Sequence, residues 1–160
     1  MNSTLKPYPF VAAVGSTPQA RLEVMDGEHL HVLGRFFQAM LLNFLKVPGK
    51  VRAIQRLKLI VAFDPTGHPG DAVTITFACG RVILEAGIKP SPDIRIKGEP
   101  AVFMKLSRMP AGPAVVKFLM TYEGRDLIAR VRSGELKIQG VIGHPLGMMS
   151  FSKFMAPNVT

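Results

Sequence analysis

The chain switches between two hydrophobic periods, and the switches mark its elements. From Glu28 to Leu45 the apolar residues Leu30, Leu33, Phe37, Leu41 and Phe44 recur at three- and four-residue steps, which predicts a helix buried on more than one side. Pro48-Gly49 breaks it. In the next run, Lys50 to Lys58, Val51, Ile54 and Leu57 lie to one side and Lys50, Arg52, Arg56 and Lys58 surround the rest, making this the most basic stretch of the chain. The period then shortens to two. Leu59, Val61 and Phe63 alternate; Asp64-Pro65-Thr66-Gly67-His68-Pro69-Gly70 is a turn cluster; Val73, Ile75 and Phe77 alternate against Thr74 and Thr76. Cys79-Gly80 divides that strand from Arg81 to Ala86, so residues 71–87 read as an antiparallel hairpin. Beyond Lys89-Pro90-Ser91-Pro92, Ile94 and Ile96 oppose Asp93, Arg95 and Lys97.

Helical spacing returns at Pro100, which suits a first helical position, with Val102, Phe103, Leu106 and Met109 in a row before Pro110 stops it. Pro113 starts another helix, in which Val115, Phe118, Leu119 and Tyr122 share a face up to Gly124. A short helical turn from Asp126 to Arg132, capped by Asp126, follows. Gly134 and Gly140 then bracket a strand in which Leu136 and Ile138 alternate with Glu135, Lys137 and Gln139. After Gly143, Leu146, Met149 and Lys153 fall at helical spacing, with Met148, Phe151 and Met155 in a second apolar row. The sum is an α+β domain: a five-stranded, mostly antiparallel sheet with one polar face and one face covered by helices. Residues 1–27, with Pro7, Pro9 and Pro18 and no sustained period, read as an extended N-terminal arm to a single domain over residues 28–160.

The run of Ala129, Gly134, Leu136, Ile138 and Gly140, in a helix-glycine-strand-glycine-helix order, resembles the C-terminal half of the sterol carrier protein family of lipid-transfer domains. The order helix, four strands, short helices, strand, helix is the family's too, from about residue 28 onward. The resemblance implies that the helices leave a hydrophobic tunnel over the sheet for a sterol, fatty acid or acyl chain, partly covered by the last helix. Phe77, Phe103, Met104, Leu106, Phe118, Met120, Ile138, Met148, Phe151 and Met155 are the tunnel lining expected on that basis. On residue types alone such a set is the core of a well-packed domain; a wall rich in Met and Phe is also one that can reshape around different aliphatic ligands. The chain departs from the family where Val141-Ile142-Gly143-His144-Pro145 intervenes between strand and helix. The N-terminal arm and first helix have no counterpart in the shortest relatives, and two roles are open for Phe36, Met40 and Phe44: covering the pocket or building a homodimer interface.

Composition adds three points. At 160 residues, 48% of them hydrophobic, the chain is long enough for a core without disulfide or metal support, and its one cysteine, Cys79, fits a reducing compartment. The net charge of +9 asks for an anionic partner or a solvated basic face. Nucleic acid is not expected, because there is no Trp, only two Tyr and no recognisable binding motif. An anionic membrane surface fits better, and Lys46, Lys50, Arg52, Arg56 and Lys58 are the residues expected to meet it. No segment supplies the ~20 apolar residues of a membrane span, and the N-terminus has no secretory pattern, so a cytoplasmic location is expected.

Catalytic chemistry is not expected. His29 and His31 stand two apart and point in different directions on a helix, His68 sits in a turn cluster, and His144 precedes Pro145. No nucleophile elbow, phosphate loop, dinucleotide-binding pattern or zinc-protease motif occurs. The sequence therefore implies neither a metal nor a cofactor. Two readings remain: a non-enzymatic protein that binds and transfers lipid in a hollow core, or an accessory domain of the same fold with a filled core, assisting an enzyme that acts on lipids or quinone-like isoprenoids.

Overall fold

A computed structural model describes residues 20–110 and 112–156. The first part of the expected N-terminal arm lies outside them, but its end is a strand, β1 (Arg21–Met25). The others are β2 (Lys58–Pro65), β3 (Val73–Ala78), β4 (Arg81–Ala86), β5 (Ile94–Gly98) and β6 (Lys137–Gln139). They form one six-stranded sheet in the order β1-β4-β3-β2-β5-β6, one strand more than the pattern predicts. The additional strand is β1, five residues long, in which only Leu22 and Val24 alternate with polar neighbours; its pairing with β4, from Arg21 opposite Arg81 to Met25 opposite Glu85, makes it a strand.

The pairs β2/β3, β3/β4 and β5/β6 are antiparallel, whereas β1/β4 and β2/β5 are parallel. The hairpin turn falls at Cys79 and Gly80, both with positive φ (47° and 102°), the left-handed pair that a two-residue hairpin requires. Gly134 and Gly140 also adopt positive φ, 79° and 90°. A side chain at Gly140 would place its Cβ 1.9 Å from the Asp93 carbonyl oxygen, so this position admits only glycine as the chain leaves β6.

Register gives the sheet two unlike faces. Leu59, Val61, Phe63, Val73, Ile75, Phe77, Val82, Leu84, Ile94 and Ile96 point into the core and are all buried. The opposite face carries Thr74, Thr76, Asp64, Arg95 and Glu23, with an Asp64–Arg95 ion pair at 2.5 Å and a Glu23–Arg81 pair at 2.8 Å. Two hydrogen bonds fasten the β4–β5 connection beside that face: Thr74 Oγ1 donates to the Gly87 carbonyl (2.8 Å) and accepts from Lys89 N–H (3.1 Å).

Helices α1 (Val32–Phe44), α2 (Pro48–Arg56), α3 (Pro100–Ser107), α4 (Ala114–Leu119), α5 (Tyr122–Ser133) and α6 (Pro145–Met155) follow the predicted order, with one correction. The expected short turn from Asp126 is a twelve-residue helix capped by Thr121, whose hydroxyl accepts from Gly124 N–H. Gly124 thus opens α5 instead of ending α4. It is glycine because α4 passes too close for a side chain, a Cβ there standing 2.2 Å from the Phe118 carbonyl oxygen.

Candidate lipid-binding site

Seven phenylalanines knit the helices to the sheet. Phe37 on α1 lies on Phe63 with ring centroids 4.3 Å apart, Phe63 meets Phe103 on α3 edge-on at 5.5 Å, and Phe77 meets Phe151 and Phe154 on α6 at 5.9 and 5.3 Å. Phe44 closes the set against Phe154 at 5.1 Å. Close approach of α6 is helped by Gly147, where a Cβ would fall 2.7 Å from Leu59 Cδ1.

Among the described residues, an outer and an inner apolar space adjoin this cluster. The outer one is an open groove of about 310 Å³ between α1, α3 and α6, lined by Phe36, Met40, Phe44, Met104, Ser107, Arg108 and Met155. The inner one is a cavity of about 40 Å³ over β2, β5 and β6, lined by Phe63, Ile96, Phe103, Leu106, Met109, Ile138, Met148, Phe151, Ser152 and Met155. Met155 lines both, so its flexible side chain is part of the partition between them. Arg108, just past the end of α3, is the only charged side chain on either wall, and it enters no ion pair among the described residues. The Ser107 hydroxyl donates to the Met104 carbonyl (2.8 Å), which leaves Arg108 as the free donor at that end.

Ion pairs hold α3 in place behind the groove. Lys105 reaches Asp126 on α5 at 2.9 Å, and Arg130 spans Asp126 (3.2 Å), Glu99 at the start of α3 (3.0 Å) and Glu135 (3.3 Å). Hydrogen bonds from Lys105 and Arg130 keep the Asp126 carboxyl below the ordinary aspartate range, while the Asp126 hydrogen bond holds Arg130 above its own.

Of the residues expected to line a tunnel, Phe103, Leu106, Ile138, Met148, Phe151 and Met155 surround the inner cavity, and Met104 faces the outer groove. Phe77 lies behind them in contact with Phe151 and Phe154; Phe118 packs half-buried against the core away from both spaces; Met120 is 69% exposed. Phe36, Met40 and Phe44, with two roles open for them, form one wall of the groove. Ser107 and Arg108 carried no expectation, although their i+3 and i+4 spacing from Met104 sets all three on one side of a helix.

The basic run needs one correction. Lys46, Arg52, Arg56 and Lys58 are exposed, but Lys50 is 2% exposed and cannot meet a membrane. It stands one turn before Ile54, on the buried side of α2, and its ammonium group donates to the carbonyl oxygens of Phe154 and Ala156. The same nitrogen sits 4.7 Å from the Phe44 ring centroid. Burial lowers its pKa from the ordinary 10.5, because desolvation disfavours the charged form.

Among the described residues no group of three or more His, Cys, Asp or Glu could hold a metal, and no helix is long and apolar enough to cross a membrane. A mixed sheet with helices gathered on one face and apolar space between the layers is the architecture of an SCP2-like sterol carrier domain, the fold that the sequence resembles. No family model and no curated protein matches the chain. Among solved structures it is similar to one described as "UbiJ-SCP2 Ubiquinone synthesis protein", with a TM-score of 0.52 and 19% identity over 77% of this chain and 92% of that one. At that identity the likeness defines the fold.

Proposed function

We propose that this chain is a non-enzymatic lipid-binding domain that takes up an aliphatic or isoprenoid chain in the outer groove, extends it toward the inner cavity past Met155, and transfers it. The observation that carries this reading is the groove itself: about 310 Å³, walled by Phe36, Met40, Phe44, Met104 and Met155, with one charged residue at its rim. That volume falls at the lower end of the ~300–1,000 Å³ typical of small-molecule sites. Each methylene withdrawn from water contributes about 0.8 kcal/mol, so ten of them supply about 8 kcal/mol before the costs of association. With few polar contacts, selectivity among chains is broad. Arg108 favours a ligand whose anionic head rests at the rim while its tail follows the apolar wall.

A second reading is favoured by the small inner space, about 40 Å³. In it the core stays filled and the domain serves as an accessory to an enzyme that modifies quinone-like isoprenoids, in keeping with the matched protein's description as a ubiquinone synthesis protein.

Native mass spectrometry of freshly purified protein, alongside its denatured mass and a lipid extract, separates the two. Extra mass lost on denaturation and recovered as lipid is the expected result; a clean unliganded mass with no uptake of fluorescent fatty acids would leave the filled-core reading.

A further inference from the structure

The outer side of α6 carries apolar side chains that nothing among the described residues covers. Ile142, in the loop leading to the helix, is 99% exposed, Leu146 73% and Met149 52%. Leu146, Met149 and Lys153 follow at three- and four-residue steps and share one stripe, with Ile142 a turn ahead. The opposite stripe of the same helix, Met148, Phe151 and Met155, forms cavity wall.

Helix α2 lies beside α6 and runs the other way. Lys50, near its start, reaches the end of α6 at Phe154 and Ala156, whereas Leu59, just beyond its end, packs against Gly147 near the start of α6. Arg52 and Arg56, on the side of α2 away from buried Lys50 and Ile54, are exposed and join no ion pair among the described residues, and neither does Lys153. Neither helix carries an acid: the sequence has no Asp or Glu from His29 to Phe63, which includes α1 and α2, and none after Glu135, which includes α6. All 11 acids of the chain lie outside those two stretches. The acid the structure brings to the start of α6 is Asp93, whose carboxylate stands 3.5 Å from His144 and accepts from Ile60 N–H. An apolar ridge flanked by uncompensated cations has the chemistry of an interfacial membrane contact.

The geometry points to this paired surface, the outer stripe of α6 with Arg52 and Arg56 of α2 beside it, as the face that docks on an anionic bilayer. Ile142, Leu146 and Met149 enter the headgroup layer while Arg52, Arg56 and Lys153 meet lipid phosphates. It places membrane contact on the helix whose inner side is cavity wall, and it does not depend on what the groove holds.

Co-sedimentation with phosphatidylcholine vesicles, with and without phosphatidylglycerol, tests the assignment on the full chain. The wild-type protein is expected to pellet with the anionic vesicles and to be released by salt. Leu146→Gln/Met149→Gln and Arg52→Glu/Arg56→Glu, all at exposed positions, are each expected to bind at least about tenfold more weakly, with unchanged circular dichroism. Equal binding by wild type and either variant, or no wild-type binding, would overturn the proposal. So would a wild-type dimer in solution that the Leu146/Met149 variant renders monomeric, because the stripe would then be a protein interface.

Discussion

The ammonium group of Lys50, near the start of α2, donates a hydrogen bond to the carbonyl oxygen of Phe154, in the last turn of α6. With a second bond to the Ala156 carbonyl, a lysine fastens the end of the helix that covers the apolar space. Lys50→Ala removes the donor and leaves two carbonyls without it, and is expected to cost about 2 kcal/mol in urea unfolding.

That lysine also makes stability depend on alkali. Burial sets its folded pKa below the unfolded 10.5, so between the two values the unfolded chain holds a proton that the folded chain has released. The cost of a buried charge applies in full below the folded value and is relieved as pH rises toward 10.5. Relative to Lys50→Met, which does not titrate there, wild-type stability should rise with pH across that window. Chemical unfolding of both proteins at a series of pH values checks the slope.

Arg108 predicts a preference among ligands of equal chain length. A fatty acid should bind more tightly than the corresponding alcohol, and Arg108→Gln should weaken the acid by about tenfold, the value of one charge-assisted hydrogen bond, while leaving the alcohol unchanged. Displacement of a fluorescent fatty acid by the two competitors measures both. Loss of both ligands in the variant would mean that Arg108 shapes the groove instead of reading the head.

Met155, shared by the groove and the inner cavity, should act as a partition. Met155→Ala is expected to destabilise the fold by about 2–3 kcal/mol, as truncation of a buried Met does, yet to bind longer chains better than the wild type. Met104→Trp, at a position 44% exposed, should fill the groove with little effect on folding and abolish uptake. Thermal melts and a chain-length series of ligands report the two effects separately.

Gly124→Ala is expected to cost 3 kcal/mol or more, roughly, because its Cβ would press on the Phe118 carbonyl, a backbone atom that cannot swing aside. Calorimetric unfolding would show the loss as a lowered melting temperature.

The sequence pattern was readable wherever one face is buried and the period is sustained. The alternation of Leu59, Val61 and Phe63 and the glycine brackets of β6 reappear as sheet face and positive-φ turns. Beta pairing over distance was not readable: β1 and β5 pair parallel to strands remote from them, a choice that alternation cannot encode. Gly124 was misleading because a glycine after a helix is ordinarily a C-cap, whereas this one serves close helix packing. Lys50 was hidden by its charge, although the spacing Lys50, Ile54, Leu57 marks a buried stripe in which a lysine takes the place of a hydrophobe. Within the groove, Met104 and Met155 stood out as residue types; Arg108 became visible only once α3 was oriented against α1.

The groove draws its walls from α1, from the end of α3 and from α6, three stretches far apart along the chain. If the groove takes a ligand as proposed, the site is complete only when the last helix has docked, and an occupant would add to folding stability by mass action. On the function proposed above, cargo and fold are thermodynamically linked: a bound lipid would raise the melting temperature by an amount that grows with the logarithm of its concentration relative to Kd, and loosening the C-terminal helix would be the same event as letting the lipid go.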